Sequence, residues 1–160
     1  MQPMNLTQVA NTLAEHPTRI QNWITRNYFQ PPMFARGGKR EWTPAEVLRL
    51  AVFVTLVNRW GVSPAVAGRM TVVPMMADES CDLFVAWHTF QNSNDIEPVV
   101  DFIKRENLGR FLSGEVYDSQ GHTPKYVDPQ LLPASAIVID PVPIIHALRE
   151  AWKAELLDWD

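Results

Sequence analysis

EHPTRIQNWITR, residues 15–26, sets a proline directly after a histidine and then runs apolar on one side only. Pro17 suits the first turn of a helix, where its missing N–H costs nothing and its fixed φ is already helical. Ile20, Trp23 and Ile24 then fall at i, i+3 and i+4 and share one face. With that face turned inward, Thr18, Asn22 and Thr25 point outward, and Arg19, Gln21 and Arg26 lie on the flanks. The outer face so defined carries hydrogen-bonding groups and cations and no carboxylate. His16 reads as the cap of this helix.

Working outward, Asn5 with Gln8 three residues later forms a capping-box signature, followed by a helical stripe of Leu6, Val9, Ala10 and Leu13. After residue 26, NYFQPPMF stops the second helix, since two consecutive prolines cannot continue it. MFARGGKREW places apolar and aromatic ends around Gly37–Gly38, which predicts a hairpin. Thr43-Pro44-Ala45-Glu46 is a second capping box with proline at the first helical position. The helix behind it is expected to bury Val47, Leu50, Ala51, Val54 and Val57. Gly61 ends it, and Ser63–Pro64 caps another short helix through Ala65, Val66 and Ala67.

Charge divides the chain. Residues 1–70 hold eight Lys/Arg against three acids, a net of +5, and residues 71–160 hold six against fifteen, a net of −9. A basic half joined to an acidic half points to a polyanionic partner for the first. Length (160 residues) and 46% hydrophobic content suit one domain or two small ones. No segment has the uninterrupted apolar length of a membrane span. The opening residues show neither the basic start nor the apolar core of a secretion signal. A single cysteine, Cys81, builds no internal disulfide framework and suits a reducing cytoplasm, the expected location.

The second half differs in texture. DLFVAWHTF (82–90) and SAIVID (135–140) read as strands, IEPVVDFIKRE as a short helix, and GEVYD and PKYVD as two shorter strands. A closing amphipathic helix is expected over Ile144–Leu157, its stripe formed by Ile145, Leu148, Trp152, Leu156 and Trp159. The boundary between halves falls near TVVPMMADES (71–80). The expected fold is therefore α+β, with an N-terminal domain over residues 1–72 and a small α+β domain over residues 80–160.

The order of helix, break, polar-faced helix, basic hairpin, capped helix, Gly turn and short helix resembles the winged helix-turn-helix of the MerR family of regulators. The resemblance covers residues 4–70. It is carried by LTQVANTLAEHPTRIQNWITR as the helix-turn-helix, KREWTPAEVLRL as the end of the wing and the next helix, and NRWGVSPAVAGRM as the Gly–Ser turn. Arg40 and Trp42 stand where that family ends its wing with an arginine and an aromatic. No heptad helix follows Met70, where the family places its dimerisation coil, and the cysteines of its metal sensors are missing. The resemblance thus implies double-stranded DNA as partner, but neither a metal effector nor promoter untwisting.

The residue chemistry points the same way. Arg19 suits guanine, and Gln21 or Asn22 suits adenine, because each offers two contacts in one plane. Thr18 and Thr25 suit phosphate or thymine-methyl contacts, and Arg26 extends the cationic flank. Arg36, Lys39 and Arg40 on the hairpin would position the protein along the DNA backbone. These nine residues form the candidate DNA-binding set. One short helix covers few base pairs, so a homodimer is expected. The second domain is left to pair subunits or to receive a small-molecule or protein effector. The alternatives are an architectural DNA-binding protein of a mobile element and an interaction adaptor without DNA binding.

Other features carry less. His16, His88, His122 and His146 lack ligand spacing, and one cysteine cannot build the usual structural zinc site. Asp118, Ser119 and His122 are neighbours in sequence, which does not make a triad. ARGGKRE lacks the phosphate-loop pattern, and acids around Cys81 disfavour a reactive thiolate. No catalytic constellation or cofactor motif is present. Trp23, Trp42, Trp60 and Trp152 are expected to pack in the core.

Overall fold

The computed structural model describes residues 3–31, 40–72, 83–89, 99–112, 115–117, 124–127 and 133–157. Within residues 3–72 each helix opens on a side chain that takes over an otherwise unpaired backbone N–H. Before α1 (Leu6–Thr12), Asn5 Oδ1 accepts from the Thr7 and Gln8 N–H groups, and the Gln8 side chain accepts from the Asn5 N–H. Before α2 (Pro17–Thr25), His16 Nδ1 accepts from the Thr18 N–H. Thr43 and Glu46 cap each other at the start of α3 (Pro44–Trp60), and Ser63 caps α4 (Pro64–Met70). Caps of this kind contribute about 0.5–2 kcal/mol each.

The ends of α1, α2 and α3 are closed by left-handed residues. Ala14 (φ 51°) sits between α1 and α2, its N–H reaching Asn11 O while the Glu15 N–H reaches Ala10 O. Asn27 (φ 58°) repeats the arrangement after α2, with bonds from Asn27 to Ile24 and from Tyr28 to Trp23. These paired bonds satisfy the last carbonyls of each helix. Asn27 therefore ends α2 well before Pro31, and the prolines expected to stop it are not the cause. Gly61 (φ 67°) closes α3 as its sequence position predicts.

An aromatic cluster joins these helices. Phe53 of α3 meets the Trp23 ring edge-on at 5.1 Å and the Phe29 ring at 5.3 Å, and Phe29 stacks on Trp42 at 6.2 Å. Trp42 is held in turn by a two-way backbone bridge with Met4, at 3.0 and 2.9 Å. The Arg49 guanidinium lies 4.8 Å over the Phe29 ring and donates to the Gln30 carbonyl, and burial lowers its pKa against the opposing influence of Glu46.

Helix α3 is enclosed more fully than a single stripe requires. Leu48, Val52, Phe53 and Leu56 are buried along with Val47, Leu50 and Ala51, whereas Val54 and Val57 are only half-buried. Trp60, expected in the core, is 54% exposed. The chain turns away at Gly61 and leaves that last helical turn at the surface. At Gly68 of α4 a Cβ would lie 1.7 Å from the Tyr28 carbonyl oxygen, so only glycine lets the two backbones approach.

The chain divides into two compact units, residues 1–81 with 142–160, and residues 82–141. In the second, β1 (Leu83–Thr89) is the central strand of an antiparallel sheet, flanked by β2 (Val99–Ile103) and by a later strand, Pro133–Ile139. The register pairs Leu83 with Ile103 and Phe84 with both Phe102 and Ile139. The helix expected at IEPVVDFIKRE is corrected here, because Val99–Ile103 is a strand. Val, Phe and Ile suit a pleated surface, and pairing with β1 outweighs the helical spacing. A 3₁₀ turn (Arg105–Asn107) leads into α5 (Leu108–Leu112), whose Phe111 packs with Leu83, Val85 and Ile103.

The short strands β3 (Glu115–Tyr117) and β4 (Pro124–Val127) pair antiparallel, as GEVYD and PKYVD predict. Pro133–Ile139 is then β5, and Asp140 behind it receives both ends of the Arg105 guanidinium. Helix α6 (Pro141–Leu157) starts at Pro141 and not at Ile144. Its Ile145, Leu148 and Trp152 are buried within the single chain. This helix groups with residues 1–81, whereas the sequence placed residues 80–160 together. Pro141 marks the change, since proline has no N–H to extend a strand ladder. The coarse α+β class holds, and among the described residues no helix is long and apolar enough to cross a membrane.

Phe53, fully buried, and Trp60, the most exposed of these aromatic residues, make a direct test. Phe53→Ala should cost about 3–5 kcal/mol, the range for truncating a buried phenylalanine. Trp60→Ala should change stability by no more than about 0.5 kcal/mol. Urea unfolding of both variants checks the pair, and equal losses would contradict the exposure of Trp60.

Candidate nucleic-acid interface

Helix α2 owes its orientation to its apolar back. Ile20 and Trp23 are buried, Ile24 is half-buried, and the edge-on contact of Trp23 with Phe53 sets the rotation of the helix against α3. The same rotation leaves Thr18, Arg19, Gln21, Asn22, Thr25 and Arg26 exposed. All six belong to the candidate set, and they form one continuous polar surface because the helix repeat keeps i, i+3 and i+4 neighbours together.

Arg40, half-buried, reaches this surface from a different part of the chain. Its Nη1 donates to Gln21 Oε1 at 3.4 Å, and Gln21 Nε2 lies 3.4 Å from Thr25 Oγ1. At that length both are weak, exposed hydrogen bonds, which a base edge or phosphate displaces at little cost. They bring three candidate residues together and orient the Gln21 amide, with its oxygen toward Arg40 and its nitrogen toward Thr25. Arg36, Lys39 and the tip of the expected hairpin lie outside the described residues.

Arg19 departs from the expectation. The outer face carries no carboxylate of its own, but Glu15, just before the cap, supplies one. Arg19 Nη1 lies 3.1 and 3.2 Å from the two Glu15 oxygens, and Nη2 donates to Asn58 Oδ1 at 2.9 Å. Asn58 Nδ2 also donates to Glu15 Oε1 at 2.5 Å. The Arg19 Cζ sits 4.8 Å from the Trp23 ring centroid, a cation–π distance. Arg19 is thus held against the body of the unit and does not project freely. Glu15 and Asn58 are the participants that sequence reasoning missed. The Glu15–Arg19 spacing of four was a legible signal, but Asn58, 39 residues beyond Arg19, had none.

Chemically, the face offers a planar amide pair (Gln21, Asn22), two hydroxyls (Thr18, Thr25), a guanidinium at each edge (Arg26, Arg40) and a third that is restrained (Arg19). Such groups recognise phosphates and base edges without any bond-making chemistry.

Separating anchor from face gives a prediction. Trp23→Ala should lower stability by about 3–5 kcal/mol, while Asn22→Ala, at an exposed position, should stay within about 0.5 kcal/mol of the parent. Thermal and urea unfolding measure both, and a large loss in the Asn22 variant would remove this residue from the exposed face. No protein-family model and no curated protein matches the chain.

Proposed function

We propose that this protein binds double-stranded DNA site-specifically through α2 and acts as a homodimeric transcriptional regulator, its N-terminal unit serving as a MerR-like winged helix-turn-helix. One observation carries the proposal. A short helix anchored by Ile20 and Trp23 presents Thr18, Gln21, Asn22 and Thr25 as an uninterrupted exposed face, bordered by Arg26 and Arg40. A reading helix needs an apolar back to fix it and a polar front for base edges. The +5 balance of residues 1–70 supplies the attraction to a polyanion.

Selection of bound duplexes from random DNA, followed by footprinting, tests this reading. A short palindrome supports the dimeric regulator, and phased sites at recombination or packaging ends would favour an architectural role instead. Absence of any salt-dependent association with duplex DNA would leave the adaptor alternative. On the selected duplex, Gln21→Ala and Asn22→Ala should each relax preference at one position, with about 1–3 kcal/mol of discrimination at stake. Removing Lys39 and Arg40 together should flatten the slope of log affinity against log salt by about one to two units, each phosphate contact contributing about 0.9.

The dimer has its own test. Ile145, Leu148 and Trp152 are already covered inside one chain, so the pairing surface proposed on α6 is the end of the sequence stripe, Leu156 and Trp159. Deleting residues 156–160 should yield a folded monomer by sedimentation. A truncated chain that remains dimeric would move the pairing elsewhere.

A further inference from the structure

We propose that Glu15 is a positioning residue that sets base specificity by holding Arg19 in a single geometry; the inference rests on the reading of α2 as the DNA-contacting helix. Glu15 occupies a fixed point. It follows the left-handed Ala14, and its N–H is bonded to Ala10 O at 2.8 Å, so the turn between α1 and α2 sets where its carboxylate begins. The carboxylate is only 5% exposed. A carboxylate so withdrawn from water requires a charged partner and hydrogen bonds, and Arg19 and Asn58 supply both.

Asn58 closes the arrangement from α3. Its oxygen accepts from Arg19 and its nitrogen donates to Glu15, which leaves the amide one orientation. Beneath the guanidinium lies the Trp23 ring. Arg19 is therefore restrained by the turn before its helix, by its own helix and by α3, yet its side chain stays 48% exposed. A guanidinium has five N–H donors, and those not engaged by Glu15 and Asn58 remain for an outside acceptor.

This arrangement changes what Arg19 can do on DNA. A free arginine swings to the nearest phosphate and adds affinity without sequence preference. Here such a swing would strand the withdrawn Glu15 carboxylate, so Arg19 meets DNA only from where it is held. A planar fork in one position suits two in-plane acceptors, such as guanine O6 and N7, and is poorly placed for other bases. Glu15 also places a negative charge beside the polyanion, which lowers binding to unrelated sequence. The predicted consequence of removing it is tighter but less selective binding.

The test uses the full chain, the duplex selected by the parent protein, and a scrambled duplex of equal length. Glu15→Gln should bind the scrambled duplex more tightly, with a salt slope steeper by about 0.9 for the added phosphate contact. Its preference for the selected duplex should fall about tenfold, within the range of one bidentate contact. In an Arg19→Ala background the same substitution should leave the preference for the selected duplex unchanged. Asn58→Ala, on an exposed position, should show the same loss of preference and serves if Glu15→Gln does not fold. NMR relaxation of the Arg19 guanidinium, which needs no DNA, should show it ordered in the parent and mobile in either variant. Full retained preference in the folded variants, or an equally ordered Arg19, overturns this inference alone. A parent protein that selects no duplex overturns the DNA-binding reading and the role of Glu15 in specificity with it.

Discussion

The edge-on contact between Trp23 and Phe53 is the constraint on which the N-terminal unit turns. Phe53 lies near the middle of α3 and touches Trp23 on one helix and Phe29 on the segment after it. Aromatic pairs of this geometry contribute beyond the area they bury, because ring edge and ring face carry opposite partial charge. The contact also sets a direction. With Trp23 inward, the helix repeat leaves no freedom about which residues of α2 face outward, and the candidate interface follows from a packing choice on its opposite side.

Phe29 and Trp42 extend this logic toward the basic segment. Their stacking and the Met4–Trp42 bridge fix where the chain re-enters the core at the start of α3. Arg40 is two residues earlier, within reach of Gln21. The Arg40 side chain that reaches α2 is therefore placed by aromatic packing, and its polar contact is weak by comparison. In the sheet unit the dominant constraint is different. Strand β1 buries Phe84 and Val85, successive residues that point to opposite faces, so it is covered on both sides and pairs along both edges. A strand so placed recruits Val99–Ile103 as its neighbour, against the helical spacing of that segment.

Arg19 shows how the environment revises a residue's apparent role. In isolation it is an exposed arginine on a helix that suits base contact. In the fold it shares a triangle with Glu15 and Asn58 over an indole ring. The ion pair links a nearly buried carboxylate to a half-exposed guanidinium, and its main effect is to restrain a flexible side chain. Breaking such a pair is costly, because the withdrawn carboxylate would be left without its charged partner.

Local features of the sequence determined the helix starts. Asn5, His16, Thr43 and Ser63 are caps because their side chains bond backbone groups two or three residues away, and no distant residue is needed. The apolar back of α2 and the Gly61 stop were legible for the same reason, as were the strands at DLFVAWHTF, GEVYD, PKYVD and SAIVID. Tertiary structure alone decided the rest. Asn27 ends α2 because the chain there needs a left-handed residue, β2 is a strand because β1 offers it an edge, and Trp60 is exposed because nothing among the described residues covers the turn before Gly61. Helix α6 joins residues 1–81 across the sheet unit in sequence, a grouping no local pattern encodes. Likewise six members of the proposed interface could be read from one helical repeat, but the contacts of Arg19 with Asn58 and of Gln21 with Arg40 depend on chain segments 39 and 19 residues apart. Such contacts arise only when packing brings their backbones together.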